Sequence, residues 1–188
     1  MTGREVLLDL LLNLLDQVRS LLTSISPEAL QWQPDPEANS IGVTLWHVSR
    51  SLDLLRARIL EKRTSREELW YLFGWALRKR YDPTGIGTAG LGNLVGYTRA
   101  QVEALPVLTA HELLQYFEQV CEALRVHLRD MPNDYLYRPP PGWPTHPDMP
   151  RPPETTYLCM RDFMTDAYEH LGEIKAIKAM WERKNRAP

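Results

Sequence analysis

The segment 155–184 carries the most regular apolar pattern in the chain, and this pattern limits the folds that the chain can adopt. Its apolar side chains and one histidine recur at alternating steps of three and four residues: Met160, Phe163, Ala167, His170, Ile174, Ile177 and Trp181. A stripe with this spacing lies on one face of a helix and packs against other helices. We therefore predict a long last helix that begins near Thr155 or Thr156 and faces a helical core.

Three earlier segments have the same helical period. We predict a first helix over 2–25, a second that is capped by Asn39 or Ser40 and runs to about residue 62, and a third over 109–128. The first and third begin with capping boxes, in which a threonine is followed three residues later by glutamate. A shorter aromatic stretch, 66–80, is predicted to add helix. No segment has a convincing strand pattern, so the prediction is an all-α four-helix bundle.

Two long connections have neither the helical nor the strand period. The first, "DPTGIGTAGLGNLVG" at 82–96, is rich in glycine, and the second, at 131–154, is rich in proline. The glycine-rich stretch lacks the strand and helix context of a phosphate-binding loop, so it does not predict one. Proline cannot continue a helix, and a loop as long as 131–154 is often functional. We predict that both stretches lie outside the bundle and that the proline-rich one covers something.

Composition excludes several classes of protein. The 188 residues suit a single domain, 1–188, and 22 basic against 24 acidic residues give a formal charge of -2 with no basic stripe, so no nucleic-acid partner is implied. The longest apolar run is interrupted by Asp9 and Asn13, and no leader sequence is recognisable, so we expect a cytoplasmic protein with no membrane partner. Cys121 and Cys159 lack metal-site spacing and are predicted to be reduced core thiols.

Three residues form a candidate metal site. His170 lies in the apolar stripe, and Asp166 precedes it by one turn on the same helix face. If His47 points inward from the second helix, it completes a His, Asp, His triad whose donor atoms suit zinc, nickel, iron(II) or manganese. Two other interpretations stay open. Asp166 could instead be the acceptor that orients His170, and both histidines could be hydrogen-bonded core residues.

The remaining histidines are weaker candidates. His127 is predicted to lie near a helix end, where an imidazole interacts with terminal carbonyl groups. His111 and His146 are predicted to face solvent. Glu173, one turn beyond His170, is predicted to be structural or to support that histidine.

Two stretches carry a family resemblance. "SPEALQWQPDPEANSIGVTLWHVSRSLDLL" and, more than a hundred residues later, "DAYEHLGEIKAIKAM" are similar to the DinB-like, YfiT-type superfamily of four-helix-bundle metalloenzymes. The resemblance covers essentially the whole chain. By position it implies that His47 is the first metal ligand and His170 the last. Asp166 occupies the position of the middle ligand, where the family usually has a histidine.

The resemblance also implies a function. Characterised members include transferases and isomerases that use low-molecular-weight thiols such as bacillithiol or mycothiol. It implies that the protein binds a divalent metal, zinc or nickel first and iron or manganese as alternatives. It also implies a low-molecular-weight thiol and a small-molecule substrate. The protein is expected to be a two-fold homodimer. A metal-dependent hydrolase is the enzymatic alternative. The alternative from another class is a non-catalytic binding or stress-response module with a degenerate site.

Overall fold

The structure, a computed structural model, describes residues 2–186 apart from the side chain of Asn133, and all regular secondary structure in this range is helical. Within that range it contains no strand. Its α-helices are α1 Gly3–Thr23, α2 Pro27–Gln31, α3 Ile41–Leu54, α4 Leu69–Leu72, α5 Trp75–Lys79, α6 Arg99–Glu103, α7 Ala110–Asp130 and α8 Thr156–Asn185. A π-helical segment, Leu55–Leu60, continues α3, and the 3₁₀ turns are Ser65–Glu67, Thr88–Gly90 and Asn133–Tyr137. Among these helices none is both long and apolar enough to cross a membrane.

The four long helices form the bundle. Helices α1 and α3 each pack against both α7 and α8, so α1 and α3 occupy opposite corners. The predicted capping boxes at Thr2 and Thr109 are present, and Ser40 and Thr155 cap α3 and α8. The predicted all-α fold is confirmed. The stretch 66–80 adds helix as predicted, in the form of two short helices, because Gly74 adopts a left-handed conformation between them with φ of 71°.

The apolar stripe of α8 faces the core only in part. Met160, Ala167 and Ile174 are fully buried, whereas the side chain of His170 is 24% exposed. Three side chains outside the predicted stripe are buried in the core as well: Cys159, Met164 and Leu171. A helix drifts by about 20° per heptad against a strict seven-residue repeat, so its buried face moves around the axis. The apolar stripe therefore correctly predicted a helix that packs in the bundle, but His170 lies at the edge of the core and not inside it.

The π-helical segment that ends α3 anchors the proline-rich connection. The carbonyl oxygen of Ile59 accepts a 2.9 Å hydrogen bond from the backbone N–H of Gly142, and that of Leu60 accepts one from the hydroxyl of Tyr135. A Cβ atom at position 142 would overlap the carbonyl oxygen of Arg58. Glycine is therefore required at position 142, where the proline-rich connection meets the π-helical end of α3. This contact fixes the position of the chain just before residues 148–150.

We expect Gly142→Ala to lower the free energy of unfolding by about 1 to 3 kcal/mol, as overpacking typically does. The matched control is Gly172→Ala in α8, where an added Cβ meets nothing within 4 Å. Alanine in a helix interior should raise stability by about 0.5 to 1 kcal/mol over glycine. Urea unfolding of both variants and the parent measures the two changes. Equal stability of Gly142→Ala and the parent would show that the anchor is dispensable.

Candidate metal centre

The three predicted ligands meet between α3 and α8. His47 is on α3, and Asp166 and His170 are one turn apart on α8. One donor atom from each lies within 4.8 Å of the others. The Nε2 atoms of His47 and His170 are 4.0 and 3.6 Å from the two oxygens of Asp166, and the imidazole planes are perpendicular with centroids 4.7 Å apart. The structure therefore brings together the whole predicted triad.

The Nδ1 atom of each histidine already has a partner. His47 Nδ1 hydrogen-bonds to the backbone carbonyl of Asn93, and His170 Nδ1 lies 2.7 Å from Glu173 Oε2. Both partners are acceptors, so each Nδ1 carries the proton and, in the neutral ring, each Nε2 keeps a lone pair. Metal-ligating histidines typically have this support from a carbonyl or carboxylate. Both rings thus present a free donor atom to the space beside Asp166.

Asp166 faces the Nε2 atom of His170, the ring nitrogen that keeps a lone pair. The alternative interpretation gave it the role of orienting His170, but Glu173 makes that contact. Asp166 Oδ1 is instead 3.6 Å from Nε2, which is longer than a hydrogen bond. Its oxygens therefore lie where a third ligand belongs, and the supporting role suggested for Glu173 agrees with the geometry.

The donor set fits a divalent metal. Zinc binds imidazole nitrogen and carboxylate oxygen at about 2.0 to 2.2 Å, which places tetrahedral ligands about 3.4 Å apart. The distances of 3.6 and 4.0 Å to Asp166, and the limit of 4.8 Å that holds for all three donor pairs, need contractions of at most about 1.4 Å to reach that spacing. Three protein ligands leave at least one coordination position for water or substrate.

Burial keeps His47 in the form that can bind metal. This residue is 6% exposed, and desolvation lowers the pKa of its imidazole because the charged form loses hydration. The carbonyl of Asn93 opposes this by raising the pKa, and the nearby His170 lowers it further. The net result is a pKa below the usual value for histidine, so the ring is neutral at neutral pH.

A pocket of about 360 Å³ opens beside the triad. Both long connections contribute to its wall, together with α3 and α8. The lining residues are His47, Ser51, Thr88, Leu91, Asn93, Val95, Asp148, Met149, Pro150, Asp162, Phe163 and Asp166. Neither stretch belongs to the four long helices, as predicted, and the proline-rich one contributes Asp148, Met149 and Pro150 to the wall of this pocket.

A buried ionic network lies beneath the glycine-rich connection, and sequence reasoning missed it. Arg50 Nη2 donates to Glu68 Oε2 at 2.5 Å and Arg50 Nη1 lies 3.5 Å from Asp53 Oδ2, with all three side chains almost fully buried. Tyr116 donates to Asp53 at 2.9 Å. The signal in the sequence is the pair Arg50 and Asp53, which are three residues apart and are, apart from His47, the only acidic or basic side chains of α3.

This network positions the residue that holds His47. Arg50 Nε donates to the carbonyl of Gly92 at 3.2 Å, and Arg58 Nη1 donates to that of Leu91 at 3.1 Å. Asn93, whose carbonyl accepts from His47, follows directly in the chain. Arg50, which is buried, and Arg58, which is partly exposed, therefore fix the loop backbone that orients the candidate ligand His47.

The other histidines lie outside the triad. His127 Nδ1 is 3.5 Å from Glu61 Oε1, so its partner is a carboxylate and not the terminal carbonyls that were predicted. The reason is that the π-helical end of α3 carries Glu61 against α7, a packing that the sequence pattern did not reveal. His111 and His146 are exposed, as predicted.

Comparisons with known proteins agree with this architecture. The sequence profile of the DinB superfamily matches residues 10–174. No curated protein sequence matches the chain significantly. The fold is similar to the crystal structure of a conserved protein from Enterococcus faecalis, with a TM-score of 0.74, 16% identity and coverage of 95% of this chain and 96% of that one. At 16% identity, this structural similarity is evidence for the fold alone. The sequence profile, however, matches most of the chain, and the chain therefore belongs to the DinB superfamily.

Proposed function

We propose that the protein is an enzyme that depends on a divalent metal held by His47, Asp166 and His170. The observation that carries this proposal is the orientation of the two imidazoles. Each has Nδ1 engaged by an acceptor and Nε2 directed toward Asp166. A purely structural pair of histidines would not need two unprotonated Nε2 atoms that converge on one carboxylate.

Zinc or nickel is the proposed metal, with iron or manganese as alternatives. Zinc and nickel both bind imidazole nitrogen well, and the site offers two such nitrogens. Asp166 supplies a hard anionic oxygen at a position where the superfamily usually has a histidine, and this favours tolerance of iron or manganese.

The proposed reaction transfers a low-molecular-weight thiol to an electrophilic substrate. A divalent metal at the triad would lower the pKa of a bound thiol, so that the thiolate is available at neutral pH. The protein's own thiols are unsuited to that role. Cys121 and Cys159 are buried and neither lines the pocket, and burial raises the pKa of Cys159 to about 12. The nucleophile would therefore come from a second small molecule.

The pocket supplies what the reaction needs besides the metal. Its apolar side chains, among them Phe163 and Met149, can hold the body of a substrate against the triad. The glycine-rich and proline-rich connections form two of the walls of this pocket.

Hydrolysis is the second candidate, and one observation favours it. The side chain of Asp166 is 49% exposed, so solvent reaches the triad. Metal-activated water could then be the nucleophile. Turnover of the same electrophile with and without added thiol separates the two reactions, because only the transferase requires the thiol.

Variants of Asp166 test the proposed site. We expect Asp166→Ala to weaken metal binding at least as much as the roughly 10- to 100-fold that loss of a supporting partner costs. Asp166→His should shift preference toward zinc or nickel, because it replaces a hard oxygen with nitrogen. Calorimetric titration of the metal-free protein with zinc, nickel and manganese measures both effects.

The matched control is Glu169→Ala, an exposed acidic residue on α8 outside the triad, and it should bind each metal as the parent does. If Asp166→Ala also matches the parent, Asp166 is neither ligand nor support. A parent protein that binds none of the metals would refute the enzyme proposal and leave a structural polar cluster.

The two-fold homodimer stays a prediction. Leu12 projects from α1 with 45% of its surface exposed, as expected for a helix with leucines on more than one face. Light scattering at micromolar concentration should give twice the 21.8 kDa chain mass. A mass of one chain would contradict the prediction.

A further inference from the structure

The pocket beside the triad has one sign of charge. Besides Asp166, its lining includes Asp148 from the proline-rich connection and Asp162 from α8, and the described lining residues include no lysine or arginine. Its apolar surface comes from Leu91, Val95, Met149, Pro150 and Phe163. A small anion entering this space would meet three carboxylates, whereas a cation would be attracted.

A buried acceptor in the same wall has no partner. Asn93 is 5% exposed, its Nδ2 donates to Ser51 Oγ at 3.1 Å, and its Oδ1 has no hydrogen-bond partner among the described residues. An unsatisfied buried acceptor costs about 1 to 3 kcal/mol, so a ligand that brings a donor gains by meeting it. This observation is independent of the carboxylates, and a ligand that carries N–H groups can satisfy both.

Asp148 and Asp162 each keep a carboxylate oxygen that can accept a hydrogen bond. Arg161 contacts Asp162 through two N–H groups, but both end on Oδ1. Asp148 Oδ2 is 3.6 Å from His146 Nδ1, beyond hydrogen-bond distance. Both carboxylates therefore retain oxygens for the N–H groups of a ligand.

We propose that this pocket selects a substrate with an apolar body and a protonated amine, and that Asp148 and Asp162 determine this specificity. The inference rests on the proposed function, because it treats the pocket as the substrate site of the metal centre. His47 and Asp166 line the same pocket, so a thiol that reaches the metal meets the same carboxylates. The inference therefore also applies to the thiol: an aminothiol should be preferred over a thiol that carries carboxylates.

The first test uses metal-free protein, so that no probe can bind through a metal. 2-Phenylethylamine and 3-phenylpropionate share the same aromatic body and differ in charge. Ligand-observed NMR titration should give an affinity at least about tenfold higher for the amine, as expected for unit charges near a protein surface. Equal affinities, or tighter binding of the carboxylate, would overturn the proposal.

Charge variants locate the source of the preference. The double variant Asp148→Asn, Asp162→Asn should lose most of it. The control Asp16→Asn, Asp130→Asn changes the net charge equally at two exposed carboxylates outside the pocket, and it should keep the preference. A preference that survives in the first variant, or disappears in the control, would overturn the assignment to the pocket wall.

The second test uses the zinc-loaded protein with cysteamine and 3-mercaptopropionate, which share a thiol and differ in charge at the other end. Tighter binding of cysteamine by calorimetry supports the proposal, and no preference overturns it for the metal-loaded enzyme. If the protein takes up no zinc, the proposed function fails, while the metal-free titration still decides whether the pocket selects amines.

Discussion

Replacing Arg50 with methionine is expected to lower the free energy of unfolding by about 3 to 5 kcal/mol, the cost of removing one partner from a buried ion pair. The Arg50 side chain is 1% exposed and contacts Glu68, Asp53 and the carbonyl of Gly92. Methionine fills similar space but leaves two buried carboxylates with less compensation. Urea unfolding of parent and variant measures the loss.

The control for Arg50→Met is Arg129→Met. Arg129 pairs with Asp130 at 2.6 Å, but both side chains are exposed, so its removal should cost less than about 1 kcal/mol. Because Arg50 also holds the loop before Asn93, its variant should bind metal more weakly than the control does. A stability loss no larger than that of Arg129→Met would show that the buried network does not hold this part of the fold.

Replacing His47 with alanine is expected to weaken zinc binding by more than about 100-fold, since loss of a supporting partner alone costs roughly 10- to 100-fold. Thermal unfolding with and without zinc measures this. At zinc equal to 100 times its dissociation constant, the parent should gain about 2.7 kcal/mol, and a variant with 100-fold weaker binding about 0.4 kcal/mol at the same concentration. Comparing the gain from zinc separates metal binding from any change in the metal-free fold.

His111→Ala is the control for His47→Ala, because His111 is exposed at the start of α7 and is not part of the triad. It should show the full gain of the parent. If His47→Ala keeps the same gain from zinc, His47 is not a ligand and the proposed site is wrong.

The helices were predictable because their signals are local. Capping boxes at Thr2 and Thr109 and apolar residues at helical spacing fix the starts and faces of long helices without reference to the rest of the chain. The pair Asp166 and His170 was predictable for the same reason, since residues four apart share a helix face. Pairing them with His47 depended on the family resemblance, because no local rule says which way α3 turns its histidine.

The supporting contacts could not be read from the sequence. Asn93 holds His47 through a backbone carbonyl, which every residue has, and it lies in a loop with no periodic pattern. The burial of Glu68 depends on Arg50 from a different helix. The π-helical end of α3 depends on tertiary bonds from the proline-rich connection, which helical propensity does not encode. These features arise from packing between distant segments.

Anomalous diffraction from crystals grown with zinc tests the central claim most directly. We predict one zinc ion per triad, bound by Nε2 of His47 and Nε2 of His170 at about 2.0 to 2.1 Å and by an oxygen of Asp166 at about 2.0 to 2.2 Å. The Nδ1 atoms should keep their contacts with Asn93 and Glu173. Zinc absent from the triad, or bound there without Asp166 or through Nδ1, would contradict the account.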